Sequence, residues 1–283
     1  MEPSEARRAV AAALSTASEL GLHVEDTDIV HNSDRIAVRL LPGDILARVG
    51  PLAYQEGFEL EIEAARRLAE TGSPVGELVP RIAPRVYVRD DFAISLWTYY
   101  ESAVPEAIVP ADYAQALMRL HAGLRQIDLV APRFTDQVAG RQRLVATQEL
   151  TPELPSADRE LVSTALSRLS TAIIDEATGE QLLHGEPHTG NVLNTRSGPR
   201  FIDLATCCHG PIEYDLAFVP IAVREHYPGM NPDLVHQCHA LMWAMFAAQR
   251  WSRDDQMPNR SHWRIEGLNL LCAALDRGGL DWA

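Results

Sequence analysis

The chain has 283 residues, 46% of them hydrophobic, enough for one large domain or two small ones with a real core. A net charge of −14 sets it against nucleic acid and anionic membrane surfaces and favours cationic ligands, and no charge-free run of about 18 residues offers a membrane span. The opening MEPSEARR lacks the apolar run of a signal peptide, and four cysteines without framework spacing fit a reduced, cytoplasmic setting.

In chain order, residues 4–20 read as a helix closed by Gly21. IAVRLL (36–41) and ILARV (45–49) flank Pro42-Gly43-Asp44 and predict a hairpin. Residues 56–71 predict a helix ended by Gly72 and Pro74. VYV (86–88) and FAISLWTYY (92–100) flank Arg89-Asp90-Asp91 and predict a second hairpin. From there the periodicity is helical, over 112–127, 135–150, 157–177, 213–225, 231–251 and 261–276, interrupted by a loop-rich stretch over 181–212. Strand character stops near residue 100. The expected organisation is therefore a β-rich segment over 1–99 and a larger helical segment over 100–283.

The stretch 182–217, LLHGEPHTGNVLNTRSGPRFIDLATCCHGPIEYDLA, carries the chemistry. VLN (192–194) and RFIDL (200–204) flank Ser197-Gly198, a further hairpin signal, which brings Asn191 and Asp203 together at its open end. A carboxylate and an amide oxygen side by side suit a hard cation such as Mg²⁺. Glu186, five residues before Asn191, is a candidate base beside a metal-bound phosphate.

HGEPHTGNVL resembles the catalytic loop of the aminoglycoside phosphotransferases, FIDLA their metal-binding Asp segment, and GPIEYDLA (210–217) the signature that follows. The resemblance implies an α+β, bilobal protein-kinase-like fold, with a small β-rich N-lobe and a larger, mainly helical C-lobe. It implies an ATP-dependent phosphotransferase acting on a hydroxyl of a small molecule. Glu186 stands at the base position, Asn191 and Asp203 at the metal ligands, and His184 at the histidine that braces the loop. Asp215 reads as a structural helix cap, and His188 as a packing residue or one facing substrate. Ser33 resembles a donor to the ATP phosphates. Arg48 stands where a strand lysine clamps them, and Glu63 resembles its ion-pair partner, with Glu59 one turn earlier as the alternative. Backbone groups near Thr98 and Tyr100 would face the adenine. The implied cofactors are ATP and Mg²⁺, with GTP an alternative because a hinge reads nucleotides through its backbone.

Two positions depart from the family pattern. Glu186 replaces the usual Asp and is one methylene longer; a misplacement of about 1 Å costs roughly 10²-fold in rate. Arg48 replaces Lys but keeps its charge and offers a fork that suits phosphate. These departures define the alternative, a catalytically weak or inactive kinase-like nucleotide-binding protein. A zinc enzyme is a remoter rival: His184-Gly185-Glu186 resembles an H-x-E motif, but no P-C-x-x-C follows. The short interval between Asp203 and GPIEYDLA leaves no long activation loop, which favours a small acceptor over a protein. Glu213 and the net charge suit a cationic acceptor such as an aminoglycoside or amino sugar. Trp243, Trp251 and Trp263 fall at helical spacing and read first as core. The sequence leaves the oligomeric state open.

Overall fold

The computed structural model describes residues 1–101 and 108–277. These form two compact units, Met1–Val130 with Pro187–Cys207, and Ala131–Glu186 with Cys208 onwards. The division differs from the boundary near residue 100. Strand character does end there, but helix α3 (Pro110–Leu124) packs on the first unit's own elements, so it stays with the sheet.

The first unit opens with α1 (Pro3–Glu19), whose buried face is almost all alanine: Ala6, Ala9, Ala12, Ala13 and Ala17. Side chains this small allow close approach to the sheet. That sheet is five-stranded and antiparallel, in the order β1 (Asp26–Asn32), β2 (Ile36–Leu41), β3 (Ile45–Pro51), β5 (Phe92–Thr98), β4 (Tyr87–Arg89). Strict alternation in β2 buries Ile36, Val38 and Leu40, which join Ala47, Val49, Ile94 and the α1 alanines in one core. The same period of two sends Arg48 to the opposite face from Ala47 and Val49. Its strand neighbours there are Ala37 and Ser95.

Helix α2 (Gln55–Glu70) turns Phe58, Glu61, Ile62, Ala65 and Leu68 inward. The hairpin β7 (Val192–Thr195) and β8 (Gly198–Phe201) completes this unit, pairing Val192 with Phe201 and Thr195 with Gly198.

The second unit is helical. Helices α4 (Phe134–Ala146), α5 (Ser156–Glu176), α8 (Pro232–Arg250) and α9 (Arg260–Arg277) enclose a core of Val138, Val162, Leu166, Leu169, Leu241 and Leu271, among others. A two-stranded sheet of β6 (Gln181–Leu183) and β9 (Cys208–Gly210) runs beside α6 (Ile212–Phe218) and α7 (Ile221–Arg224). The single helix expected over 213–225 is two, because Pro220 has no N–H to continue the first and stands at the start of the second. No helix among the described residues is long and apolar enough to cross a membrane.

Candidate active site

Asp203 is the centre of the first unit's polar cluster. It follows β8 in the left-handed conformation (φ 63°, ψ 57°), an uncommon and costly backbone state for a residue other than glycine. The turn aims its carboxylate at two arginines. Arg35 Nη1 and Nη2 donate to Oδ1 and Oδ2 at 3.1 and 3.0 Å, and Arg48 Nη2 donates to Oδ1 at 2.9 Å. Burial pushes the Asp203 carboxyl up, but Arg48 and Arg35 outweigh it and hold the group well below the usual carboxylate range.

Asn191 precedes β7 and is buried. Its carbonyl accepts from the Ile202 amide at 3.0 Å, so the hairpin sets residues 191 and 203 at the same open end.

Arg48 lies over the Phe58 ring, 5.6 Å from its centroid, and donates through Nη1 to Glu61. Glu61 is 1% exposed. Burial pushes the Glu61 carboxyl up, with Arg48 opposing it. The two carboxylates raise the Arg48 guanidinium above its ordinary value against the burial that lowers it. Close contact with Arg48 is what keeps a charge at Glu61. The expected partner, Glu63, is therefore corrected to Glu61. Glu63 lies on the outer face of α2, where Arg66 and Arg67 bond its carboxylate and pull its pKa to about 2. Glu59 is also outside and accepts from Gln55. The sequence carries the signal that separates them: Glu61 shares the helical phase of Phe58, Ala65 and Leu68, while Glu63 shares that of Arg66 and Arg67.

The remaining first-unit candidates are partly committed elsewhere. The Ser33 hydroxyl donates to Asp34 at 2.8 Å, so it is engaged within its own turn. Asp34 also accepts from Tyr54 Oη at 2.6 Å. The Thr98 amide donates to the Glu77 carbonyl at 2.8 Å, which removes it as an adenine donor. The Tyr100 ring carries the Arg200 guanidinium, 5.1 Å from its centroid. His188 accepts through Nδ1 from the Gly190 amide at 3.0 Å, fixing the turn that leads to Asn191.

Glu186 belongs to the helical unit. It follows Gly185, whose φ of 94° favours glycine, and its amide meets His184 Nδ1 at 3.3 Å. His184 is fully buried, in keeping with a bracing role. Asp215 is structural but not a helix cap. Its carboxylate reaches across to accept from the His184 and Gly185 amides at 2.9 and 2.8 Å, clamping the loop that carries Glu186. Asp215→Asn puts an amide group against two N–H donors. It is expected to lower the melting temperature by roughly 5–10 °C through the loss of about 2–3 kcal/mol, measurable by thermal denaturation.

Arg141, on α4, is a residue that no sequence motif marks. Burial pushes its guanidinium pKa down, and the Glu186 carboxylate opposes that shift, so positive charge stands within electrostatic reach of Glu186. Glu213, read as facing a cationic acceptor, is buried and accepts from the Asn231 amide at 3.0 Å. Trp243 and Trp251 pack on the helical core, and Trp263 stands edge-on to Phe246. All three tryptophans thus follow the packing reading.

Among the described residues no three His, Cys, Asp or Glu side chains gather as a metal cluster. The described residues therefore do not gather the side chains of a four-ligand zinc cage. A site of one carboxylate and one amide instead fits a cation that keeps waters and substrate phosphates as its other ligands.

The sequence model of the phosphotransferase enzyme family, APH, matches residues 30–245. No curated protein matches the chain significantly in sequence. Solved structures match over nearly its whole length. Amicoumacin kinase hAmiN, in complex with AMP-PNP, Ca²⁺ and Ami, is 12% identical, with 96% of each chain covered and a TM-score of 0.71. A choline/ethanolamine kinase family protein from Mesorhizobium loti is 15% identical, covering 98% of this chain and 95% of its own, with a TM-score of 0.69. The GDP and kanamycin complex of APH(2″)-IIIa is 15% identical, covering 94% and 98%, with a TM-score of 0.68. These likenesses show the α+β kinase-like fold.

Proposed function

The chain belongs to the phosphotransferase enzyme family, and from that premise we propose that it moves the γ-phosphate of ATP to a hydroxyl group of a small molecule. The observation that carries this reading is the Glu61–Arg48–Asp203 chain of ion pairs. It holds a guanidinium and a carboxylate side by side, one suited to phosphate oxygens and one to their counter-cation.

Arg48 would bind phosphate oxygens through its fork while Glu61 fixes its orientation. Asp203 and Asn191 would hold a divalent cation, which neutralises phosphate charge when bound. Glu186 would orient the acceptor hydroxyl and take its proton. Asp215 and His184 act through the backbone to keep Glu186 in place. Most of the rate enhancement in such a site comes from positioning and charge, not from covalent chemistry.

The acceptor class is open to a specific revision. Glu213 is committed to Asn231, and Arg141 puts positive charge near Glu186. Anionic and neutral alcohols therefore belong in the acceptor panel beside aminoglycosides, other hydroxylated antibiotics, amino sugars and choline-like alcohols. The test is acceptor-dependent ADP release from Mg-ATP across that panel. At least one acceptor is expected to give ADP and a phosphate monoester in equal amounts; a panel with no acceptor-dependent release counts against transfer and favours a nucleotide-binding protein.

With an acceptor in hand, Glu186→Gln is expected to lower kcat by about 10²–10⁴-fold and to leave the nucleotide Kd unchanged. Glu186→Asp is expected to cost about 10²-fold, because the loop is fitted to the longer side chain. An Asp variant faster than the parent would show that the loop is not so fitted.

A further inference from the structure

We propose that Arg35 is a second phosphate-gripping residue, parked on Asp203 and transferred to the nucleotide's phosphates when that carboxylate takes up a cation. The inference rests on the reading that Asp203 holds the nucleotide's metal.

Three donor contacts crowd the one carboxylate, two from Arg35 and one from Arg48. Each oxygen already accepts from a guanidinium, so a cation brought to this carboxylate meets that positive charge at close range and competes with it. The two arginines are unequally tied. Arg48 is anchored at its other end by Glu61 and packs on Phe58, with a side chain 15% exposed. Among the described residues Arg35 has no comparable second anchor. Its nearest other carboxylate, Asp34, lies 3.9 Å from Nε and is already bonded by Tyr54 and Ser33. Arg35 is therefore the one that yields.

The surroundings suit a side chain that shifts without unfolding anything. Arg35 sits in the turn between β1 and β2, outside the sheet ladders. Its guanidinium lies 5.4 Å from the Tyr54 ring centroid, over a flat face that offers cation–π contact as it moves. Gly50 makes the space: a Cβ there would stand 3.2 Å from Arg35 Cγ and 3.4 Å from Tyr54 Cβ.

Once displaced, a half-buried guanidinium needs a new anion, since an unpaired charge is costly in such a place. The phosphates arriving with the cation supply it, and the planar fork matches two phosphate oxygens. The exchange conserves charge pairing: carboxylate–guanidinium becomes carboxylate–cation and phosphate–guanidinium.

The test compares the parent, Arg35→Ala and Arg35→Lys by two titrations, Mn²⁺ alone and Mg²⁺ with AMP-PNP. Removing the parked guanidinium frees Asp203, so Arg35→Ala is expected to bind Mn²⁺ alone more tightly. It also loses the phosphate contact, so it is expected to bind Mg·AMP-PNP about tenfold more weakly. Arg35→Lys keeps the charge without the fork, retains the fold should the alanine variant lose it, and is expected to fall between. A variant that binds both probes more tightly shows a simple clasp on Asp203 and overturns the proposal. One that binds both more weakly shows a structural prop and also overturns it. If the parent itself binds no AMP-PNP, the nucleotide-site reading fails, and this inference falls with it.

Discussion

Asp203→Asn is expected to abolish phosphate transfer, by about 10³-fold or more, and to lower the melting temperature by roughly 5–10 °C. The catalytic loss follows from removing the carboxylate at the hairpin's open end that is proposed to answer the cation's charge. The stability loss follows from the ion pairs. Asparagine cannot balance two guanidiniums, and Arg35 is left without its main partner. Breaking a fully buried pair costs about 3–5 kcal/mol. Asp203 and Arg35 keep side-chain exposures of 17% and 24%, so a lower figure, about 2–3 kcal/mol, is appropriate. Residue 203 thus has a folding role that the sequence motif does not show. Acid reveals it. The folded carboxyl titrates below its unfolded value, so its contribution is complete above about pH 4 and is lost as pH falls further. The gap in melting temperature between parent and Asp203→Asn should narrow over that range. A gap that widens on acidification contradicts the ion-pair assignment.

Glu61→Ala and Glu63→Ala should behave in opposite ways although the residues are two apart on one helix. Glu61→Ala removes the anchor of Arg48, leaving a buried guanidinium to share Asp203 with Arg35. The expected cost is about 2–4 kcal/mol in stability and about tenfold or more in AMP-PNP affinity, read by thermal denaturation and calorimetric titration. Glu63→Ala touches only an exposed pair network with Arg66 and Arg67 and should stay within about 0.5 kcal/mol, with unchanged nucleotide affinity. Equal effects at the two positions would mean that Glu61 does not anchor Arg48.

What the sequence discloses here depends on how local the cause is. The hairpins at 36–51, 87–98 and 192–201 are legible because a turn signal sits between two alternating runs, and the closure needs no distant partner. Strand β1 is not legible: DTDIVHN has one face no more buried than the other, and its sheet pairing is with β2, through a bulge between Ile29 and His31. Strands β6 and β9 are three residues each and pair across a wide sequence gap. Helix α3 reads correctly as a helix, yet only its packing assigns it to the sheet-bearing unit.

The site divides along the same line. Residues 191 and 203 flank a single hairpin at its open end, so the turn signal alone predicts that their backbones meet there. The strand that carries Arg48 is legible, but its partner follows from the phase of α2, where the inward stripe of Phe58, Ala65 and Leu68 includes Glu61. Asp215 and Arg35 act over 30 and 168 residues of sequence, and no local pattern announces either contact. The same distance hid Arg141, whose relation to Glu186 exists only in the folded helical unit.

The most direct test of the nucleotide-metal assignment is AMP-PNP binding with and without Mg²⁺ in the parent, Asn191→Ala and Asp203→Asn. The parent is expected to bind far more tightly with Mg²⁺ than in EDTA, and both variants to lose most of that difference while still binding nucleotide. A Mg²⁺ enhancement that survives undiminished in both variants would place the cation elsewhere and contradict the account.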